Sequence, residues 1–161
     1  KILFNLSKNP LNKKDNFLKK IKISDIIQIN FEKFNNNKTL KIINLDNKHE
    51  NEIYFKDEIM YAIGNLIQNA ITYSKKLIKV NIDFDQHACK IRITDDGPGF
   101  SREILDKLGQ PYISKNNMGM GLGIFISKNL IENLDGKINF YNSDENHAVV
   151  DITLNKSILL S

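Results

Sequence analysis

The chain has no tryptophan, one cysteine, three prolines and only two arginines among its 161 residues. Each scarcity excludes something. A single cysteine, Cys89, rules out an internal disulfide framework and fits a reducing, cytoplasmic compartment. It alternates with Ile91 and Ile93, which makes it a small core residue on their face rather than a reactive thiol. With basic side chains supplied almost wholly by lysine, Arg92 and Arg102 are too few for a surface that reads bases. No apolar run approaches the ~20 residues needed to cross a bilayer, so the domain is expected to make no direct membrane contact. An initiator methionine and a signal-peptide pattern are also missing. The chain therefore reads as a piece of a longer protein, whose remainder is free to carry a membrane anchor.

What is abundant is asparagine, isoleucine and lysine, at 22, 25 and 21 residues. The net charge of +4 follows from that bias. The lysines are scattered, so nucleic acid is not expected as a partner. A chain of this length with 41% hydrophobic residues can bury one sizeable core.

Residues 1–22, polar around Pro10, read as the end of a preceding helical region plus a linker. Residues 23–155 read as the folded domain, and 156–161 as a tail. Ser24 is placed to cap a helix carrying Ile27, Phe31 and Phe34, ended by Asn35–Asn37. Leu40–Leu45 and Ile53–Phe55 read as short strands. Asp57 is placed to cap the strongest helix, with Ile59, Ile63, Leu66, Ile67, Ala70 and Ile71 on one stripe. Strands follow at 78–84 and 89–94, a brief helix from Ser101 to Leu108, and a glycine-bearing loop over 109–120. A helix from Leu122 to Leu134 stops at Asp135-Gly136, as a glycine C-cap predicts. A hairpin of 138–141 and 149–154 closes the chain. Short alternating strands joined by tight turns predict an α/β two-layer sandwich: a mixed, mostly antiparallel sheet with helices on one face.

Three short segments carry chemistry. Asn65 and Asn69 lie four apart beside the apolar stripe, in a helix interior that asparagine does not favour. Both can simply face solvent; alternatively, Asn69 offers its amide oxygen to a hard cation such as Mg²⁺, which takes few protein ligands and several phosphate oxygens. Asp95-Asp96-Gly97-Pro98-Gly99 follows a strand. It is turn chemistry in any protein, but Asp95 at a strand end can also accept a hydrogen bond from an exocyclic amine such as that of adenine, with Gly97 and Gly99 letting backbone pass close to the base. Gly119-Met120-Gly121-Leu122-Gly123 runs into a helix, where free backbone N–H groups favour anions. Lys115, just upstream, is either a solvated lysine or a point charge for a phosphate. Neither the Gly-x-x-x-x-Gly-Lys-Ser/Thr loop nor the dinucleotide glycine pattern is present.

In this order, the three segments resemble the N box and the two glycine boxes of the catalytic ATP-binding domain of bacterial sensor histidine kinases, in the GHKL superfamily with its Bergerat fold. The resemblance spans roughly residues 23–155. It implies ATP or ADP as ligand, Asn69 as the Mg²⁺ ligand, Asp95 as the adenine contact and Tyr73 as an aromatic flanking the nucleotide. It also implies that 119–123, including Leu122, hinges a flexible ATP lid, within which Pro111–Lys115 resembles the short lid sequence of some members. Hydrolytic relatives place a glutamate four residues before the metal-binding asparagine; here that position is Asn65, which cannot take a proton near neutral pH. The resemblance thus implies transfer to histidine rather than hydrolysis. His49, His87 and His147 lack the setting of a phosphoacceptor and read as ordinary surface histidines. The acceptor is expected on upstream dimerisation helices of the same protein, with a response regulator as the later partner. The fragment alone should not autophosphorylate. An ATP-driven clamp, or a catalytically silent module of the same fold, are the alternatives.

Overall fold

The protein is described by a computed structural model covering residues 19–35, 37–45, 52–110 and 122–160. Its elements, in chain order, are β1 (Lys20–Lys22), α1 (Ile23–Phe34), β2 (Thr39–Asn44), β3 (Glu52–Tyr54), α2 (Asp57–Tyr73), β4 (Leu77–Phe84), β5 (Ala88–Asp95), α3 (Arg102–Leu108), α4 (Leu122–Asn133), β6 (Lys137–Asn142), β7 (Ala148–Asn155) and α5 (Lys156–Leu159). Five strands form one sheet in the order β2-β4-β5-β7-β6, with β2 parallel to β4 and every other pair antiparallel. The mixed sheet expected from the short alternating strands is therefore present.

Alternation decides which face is buried. Along β4, Ile78, Val80, Ile82 and Phe84 point inward, and along β5 Cys89, Ile91, Ile93 and Asp95 do the same. Cys89 is fully buried, as its alternation implied. The opposite face is polar. There Arg92 makes a two-pronged ion pair with Asp151, and the Tyr141 hydroxyl donates to the same carboxylate.

The helices cover the apolar face. All six residues of the α2 stripe, from Ile59 to Ile71, are buried. Ser127 of α4, fully buried, donates its hydroxyl to the Ala62 carbonyl at 2.8 Å and so ties α4 to α2. The largest fully buried side chains are all isoleucine.

Local details depart from the sequence expectations. Ser24 and Asp57 do not cap their helices. The N-caps are Lys22 and Lys56, without side-chain capping bonds, so Ser24 is already helical and Asp57 starts α2, where its charge complements the helix dipole. Ser101 does cap α3, accepting from the Ile104 N–H at 3.2 Å. After α4 it is Asp135, not Gly136, that adopts the left-handed conformation, at φ 56°. Gly136 is required for space: a Cβ there would meet Ile131 Cγ2 and Leu154 Cδ2 at 2.8 Å each. Lys20–Lys22, in the stretch read as linker, pairs antiparallel with β3. Leu159, in the stretch read as tail, is fully buried.

The glycine geometry gives a paired test. Gly136→Ala is expected to destabilise the domain by about 1–3 kcal/mol through overpacking. At Gly109, by contrast, a Cβ meets nothing closer than 3.5 Å and φ is −75°. Gly109→Ala should be neutral or stabilising by up to about 1 kcal/mol. Denaturant unfolding of the two variants beside the unsubstituted chain checks both signs.

Candidate nucleotide site

The C-terminal turn of α2 meets the loop after β5 along a closely fitted seam. Gly97 lies against the helix end so tightly that a Cβ would come within 2.2 Å of the Tyr73 carbonyl oxygen. The Asp96 carboxylate accepts from the Lys75 N–H at 2.7 Å and the Lys76 N–H at 3.0 Å, clamping the α2–β4 connection. Its own N–H donates to the Leu77 carbonyl at 3.2 Å. From the other side, the Lys38 ammonium donates to the Ser74 and Lys75 carbonyls, a cation at the negative end of α2.

The seam opens into a cavity of about 190 Å³. Asn69 and Tyr73 line it from α2, Asp95, Gly99 and Phe100 from β5 and its loop, with Ile104, Ile124 and Ala148 adding apolar wall. Asp95 is the only carboxylate among the described lining residues, and it is 5% exposed. Its Oδ1 accepts from the Gly97 N–H at 2.8 Å. Burial raises its pKa above the ordinary carboxylate value, outweighing the Gly97 N–H, which lowers it; the charge of Asp96 adds to the rise, and those of His147 and Lys38 oppose it. Asp96 is the reverse case. Burial would raise it, but the backbone N–H groups of Lys76, Leu77 and Lys75 hold it below the usual carboxylate range.

A slot with apolar walls and a buried, poorly compensated carboxylate at one end suits a flat heterocycle bearing an amine donor. Asn69, on the same helix as Tyr73 and one turn before it, offers a neutral amide oxygen to the same slot. Among the described residues no cluster of three His, Cys, Asp or Glu side chains forms a metal cage. A cation here would share Asn69 with ligand phosphates, which is the donor set Mg²⁺ accepts. Both adenine and a phosphate-bound cation therefore fit the residues present.

The site residues read from sequence are placed as follows. Asn69, Tyr73, Asp95 and Gly99 come together on the cavity wall. Gly97 supports Asp95 from behind, and Gly99 has φ 84°, a conformation that favours glycine. Asn65 is half-buried and packs against the start of α4, its Cβ 3.4 Å from where a Gly123 Cβ would lie. Leu122 is 38% exposed at the first position of α4. Lys115, Gly119 and Gly121 lie outside the described residues, as do His49, most of the expected 109–120 lid and most of the 1–22 stretch.

One residue went unread and another was misread. The Asn142 side chain grips Phe100 through both backbone groups, accepting its N–H at 2.7 Å and donating to its carbonyl at 2.9 Å. His147 is not an ordinary surface histidine: its Nδ1 is 2.8 Å from the Gly97 carbonyl oxygen. No short-range pattern marks either residue, since each acts across the sheet on a loop far away in sequence.

A cleft at this place in a helix-on-sheet sandwich, with a buried acid on one wall and an amide on the helix, suits a nucleotide. The chain belongs to the family of histidine kinase-, DNA gyrase B- and HSP90-like ATPases, which it matches over residues 56–158, more than half its length. Membership implies nucleotide use. Among its relatives, the sensor histidine kinase RegB of Cereibacter sphaeroides is 29% identical over 99 residues, covering 55% of this chain and 21% of RegB. Sporulation kinase B of Bacillus subtilis is 33% identical over 100 residues, covering 60% of this chain and 23% of that kinase. The chain thus spans about a fifth of the length of these curated relatives. The fold is that of the catalytic domain of histidine kinase ThkA, in a nucleotide-free form, with TM-score 0.69 at 22% identity over 86% of this chain and 97% of that one. The mycobacterial sensor histidine kinase MprB superposes with TM-score 0.65 at 16% identity, over 85% and 97% of the respective chains.

The two adjacent aspartates should respond oppositely to pH. A raised folded-state pKa means Asp95 favours folding below its unfolded value near 3.8 and loses that contribution as pH rises through its folded value. Asp95→Asn is therefore expected to raise the melting temperature of the ligand-free domain at pH 7, with the gain shrinking towards pH 4. The lowered pKa of Asp96 supplies stability above 3.8 that is lost as pH falls through its folded value. Asp96→Asn should lower the melting temperature at pH 7. Thermal unfolding across pH 4–7 reads both.

Proposed function

We propose that this domain is the ATP-binding catalytic part of a two-component sensor histidine kinase, and that it passes the γ-phosphate of ATP to a histidine on upstream helices of the same protein. The observation that carries the reading is the buried Asp95 carboxylate facing a slot whose helix wall presents Asn69 and Tyr73. Asp95 accepts the adenine amine, the apolar wall takes the ring, and Tyr73 flanks it. The Asn69 amide would hold Mg²⁺ together with the phosphate oxygens, and the ion would supply charge neutralisation on the triphosphate. Lys115 and the backbone of Gly119–Gly123, with Leu122 among them, receive the phosphates and hinge the lid.

Transfer then requires little covalent work from the protein. The imidazole nitrogen of the incoming histidine attacks the γ-phosphorus, the bond to the β–γ bridging oxygen breaks, and ADP leaves. The domain's share is positioning and charge neutralisation. Hydrolysis would need a base near the phosphates. Asn65 stands where hydrolytic members resemble one another in placing glutamate, and Asp95 is committed to the opposite end of the slot. That argues for a kinase over an ATP-driven clamp. The names of the relatives, sensor histidine kinases and sporulation kinases, point the same way. On this reading the full protein is a homodimer through its phosphoacceptor helices and hands its phosphate to a response regulator. The domain itself works in the cytoplasm. Among the described residues no helix is long and apolar enough to cross a membrane.

Calorimetry with ADP and ATP tests the pocket. Asn69→Ala should weaken Mg-ATP binding about tenfold or more and leave metal-free nucleotide binding nearly unchanged; equal losses in both would sink the metal role. Alone, the chain should show ATP turnover at background and no self-phosphorylation. Joined to an upstream helical hairpin bearing a histidine, it should yield acid-labile phosphate. Steady hydrolysis by the chain alone would favour the clamp.

A further inference from the structure

The turn between β6 and β7 packs against the loop after β5, whose Gly99 and Phe100 line the cavity. It is a tight, well-bonded turn. The Ser143 N–H donates to the His147 carbonyl at 2.8 Å, the Asn146 N–H donates to the Ser143 carbonyl at 2.8 Å, and Asn146 adopts φ 62°. The Ser143 hydroxyl accepts from the His147 N–H at 3.1 Å. Next to it, Asn142 grips both backbone groups of Phe100, and Gly99 is so close that a Cβ would meet the Asn146 carbonyl at 2.5 Å. The turn and the loop after β5 are therefore one hydrogen-bonded unit.

Within that unit His147 has a defined donor role. A carbonyl oxygen can only accept, so the 2.8 Å contact to Gly97 requires the proton on Nδ1. Nε2 faces outward, 3.7 Å from Glu145. The Gly97 carbonyl is fixed by His147, and the Gly97 N–H fixes Oδ1 of Asp95. The relay runs from His147 through Gly97 to the one carboxylate on the cavity wall. Asp95 is costly to bury, and among the described residues Gly97 is the one backbone donor to its carboxylate. A loop free to tilt at Gly97 would turn that carboxylate away from the slot.

We infer that His147 is a positioning residue for base recognition: by donating from Nδ1 to the Gly97 carbonyl, it aims the Asp95 carboxylate at the exocyclic amine of adenine. This rests on the base-reading role proposed above for Asp95. His147 is not among the residues that line the cavity. Its contribution should therefore appear as selectivity for a purine with a 6-amino group, not as general affinity for nucleotides.

The test compares ADP with purine riboside diphosphate, which lacks that amine, by calorimetry on this chain. Losing one partly buried hydrogen bond, His147→Ala should weaken ADP about three- to tenfold and change the amine-free analogue less than about twofold. His147→Asn should restore most of the ADP affinity, because its Nδ2–H occupies the place of Nδ1–H. Melting temperatures of the ligand-free variants separate unfolding from misaiming. Unchanged ADP affinity in His147→Ala, equal losses for both ligands, or failure of the asparagine rescue would each overturn the inference. Asp95→Asn separates the two claims. If it leaves ADP binding intact, the base-reading role of Asp95 falls, and the inference with it. If it abolishes discrimination while His147→Ala does nothing, only the role of His147 falls.

Discussion

The site depends on one contact, the packing of Gly97 against the last carbonyl of α2. Three side chains of the slot are indexed to it. Asn69 and Tyr73 are fixed by belonging to that helix, and Asp95 by the Gly97 N–H. Asp96 and Lys38 then hold the α2–β4 connection from either side, one by accepting backbone N–H groups and the other by donating to carbonyls. With no side chain at 97, two backbones approach more closely than any other residue permits. A methyl group there would push the loop that supports Asp95 off the amide-bearing helix and separate the two halves of the pocket.

The adjacent aspartates show what that arrangement costs and what it supplies. Asp96 stabilises, since its carboxylate is satisfied by backbone donors at the protein's edge. Asp95 does not, since burial disfavours its charge and a single N–H only partly compensates. A group that destabilises the empty domain has the energy to recover when a donor arrives. On the base-reading role proposed for Asp95, the burial that disfavours its charge in the empty cavity is also what would favour an incoming donor.

Much of this was legible in the chain. The α2 stripe, the alternating strands, the mixed sheet and the placement of Asn69 and Asp95 beside the core follow from periodicity and from short turn chemistry. The misreadings have a common character. Ser24 and Asp57 are good capping residues, yet the helices begin where tertiary packing starts them, at fully buried Ile23 and beside buried Ile59. At Asp135-Gly136 the glycine drew the eye, but the left-handed turn fell on the aspartate because Gly136 was needed for room against Leu154. Lys20–Lys22 carries almost no strand signal and is ordered only by its partner β3. Asn142 and His147 act through contacts across the sheet, which no local window contains.

The isoleucine-filled interior has its own consequence. Branching at Cβ leaves isoleucine few rotamers to lose, so strands rich in it, such as β4 and β5, are ordered cheaply. Within helices the same stiffness lowers intrinsic helicity. The amide-bearing helix, with Ile59, Ile63, Ile67 and Ile71 on its inner stripe and Gly64 at its middle, is a poor helix on its own terms. Cut out as a peptide it would be largely unstructured in water. Its order is borrowed from the sheet beneath it, so the amide of Asn69 and the carboxylate of Asp95 come to line one cavity together, as one cooperative event of folding.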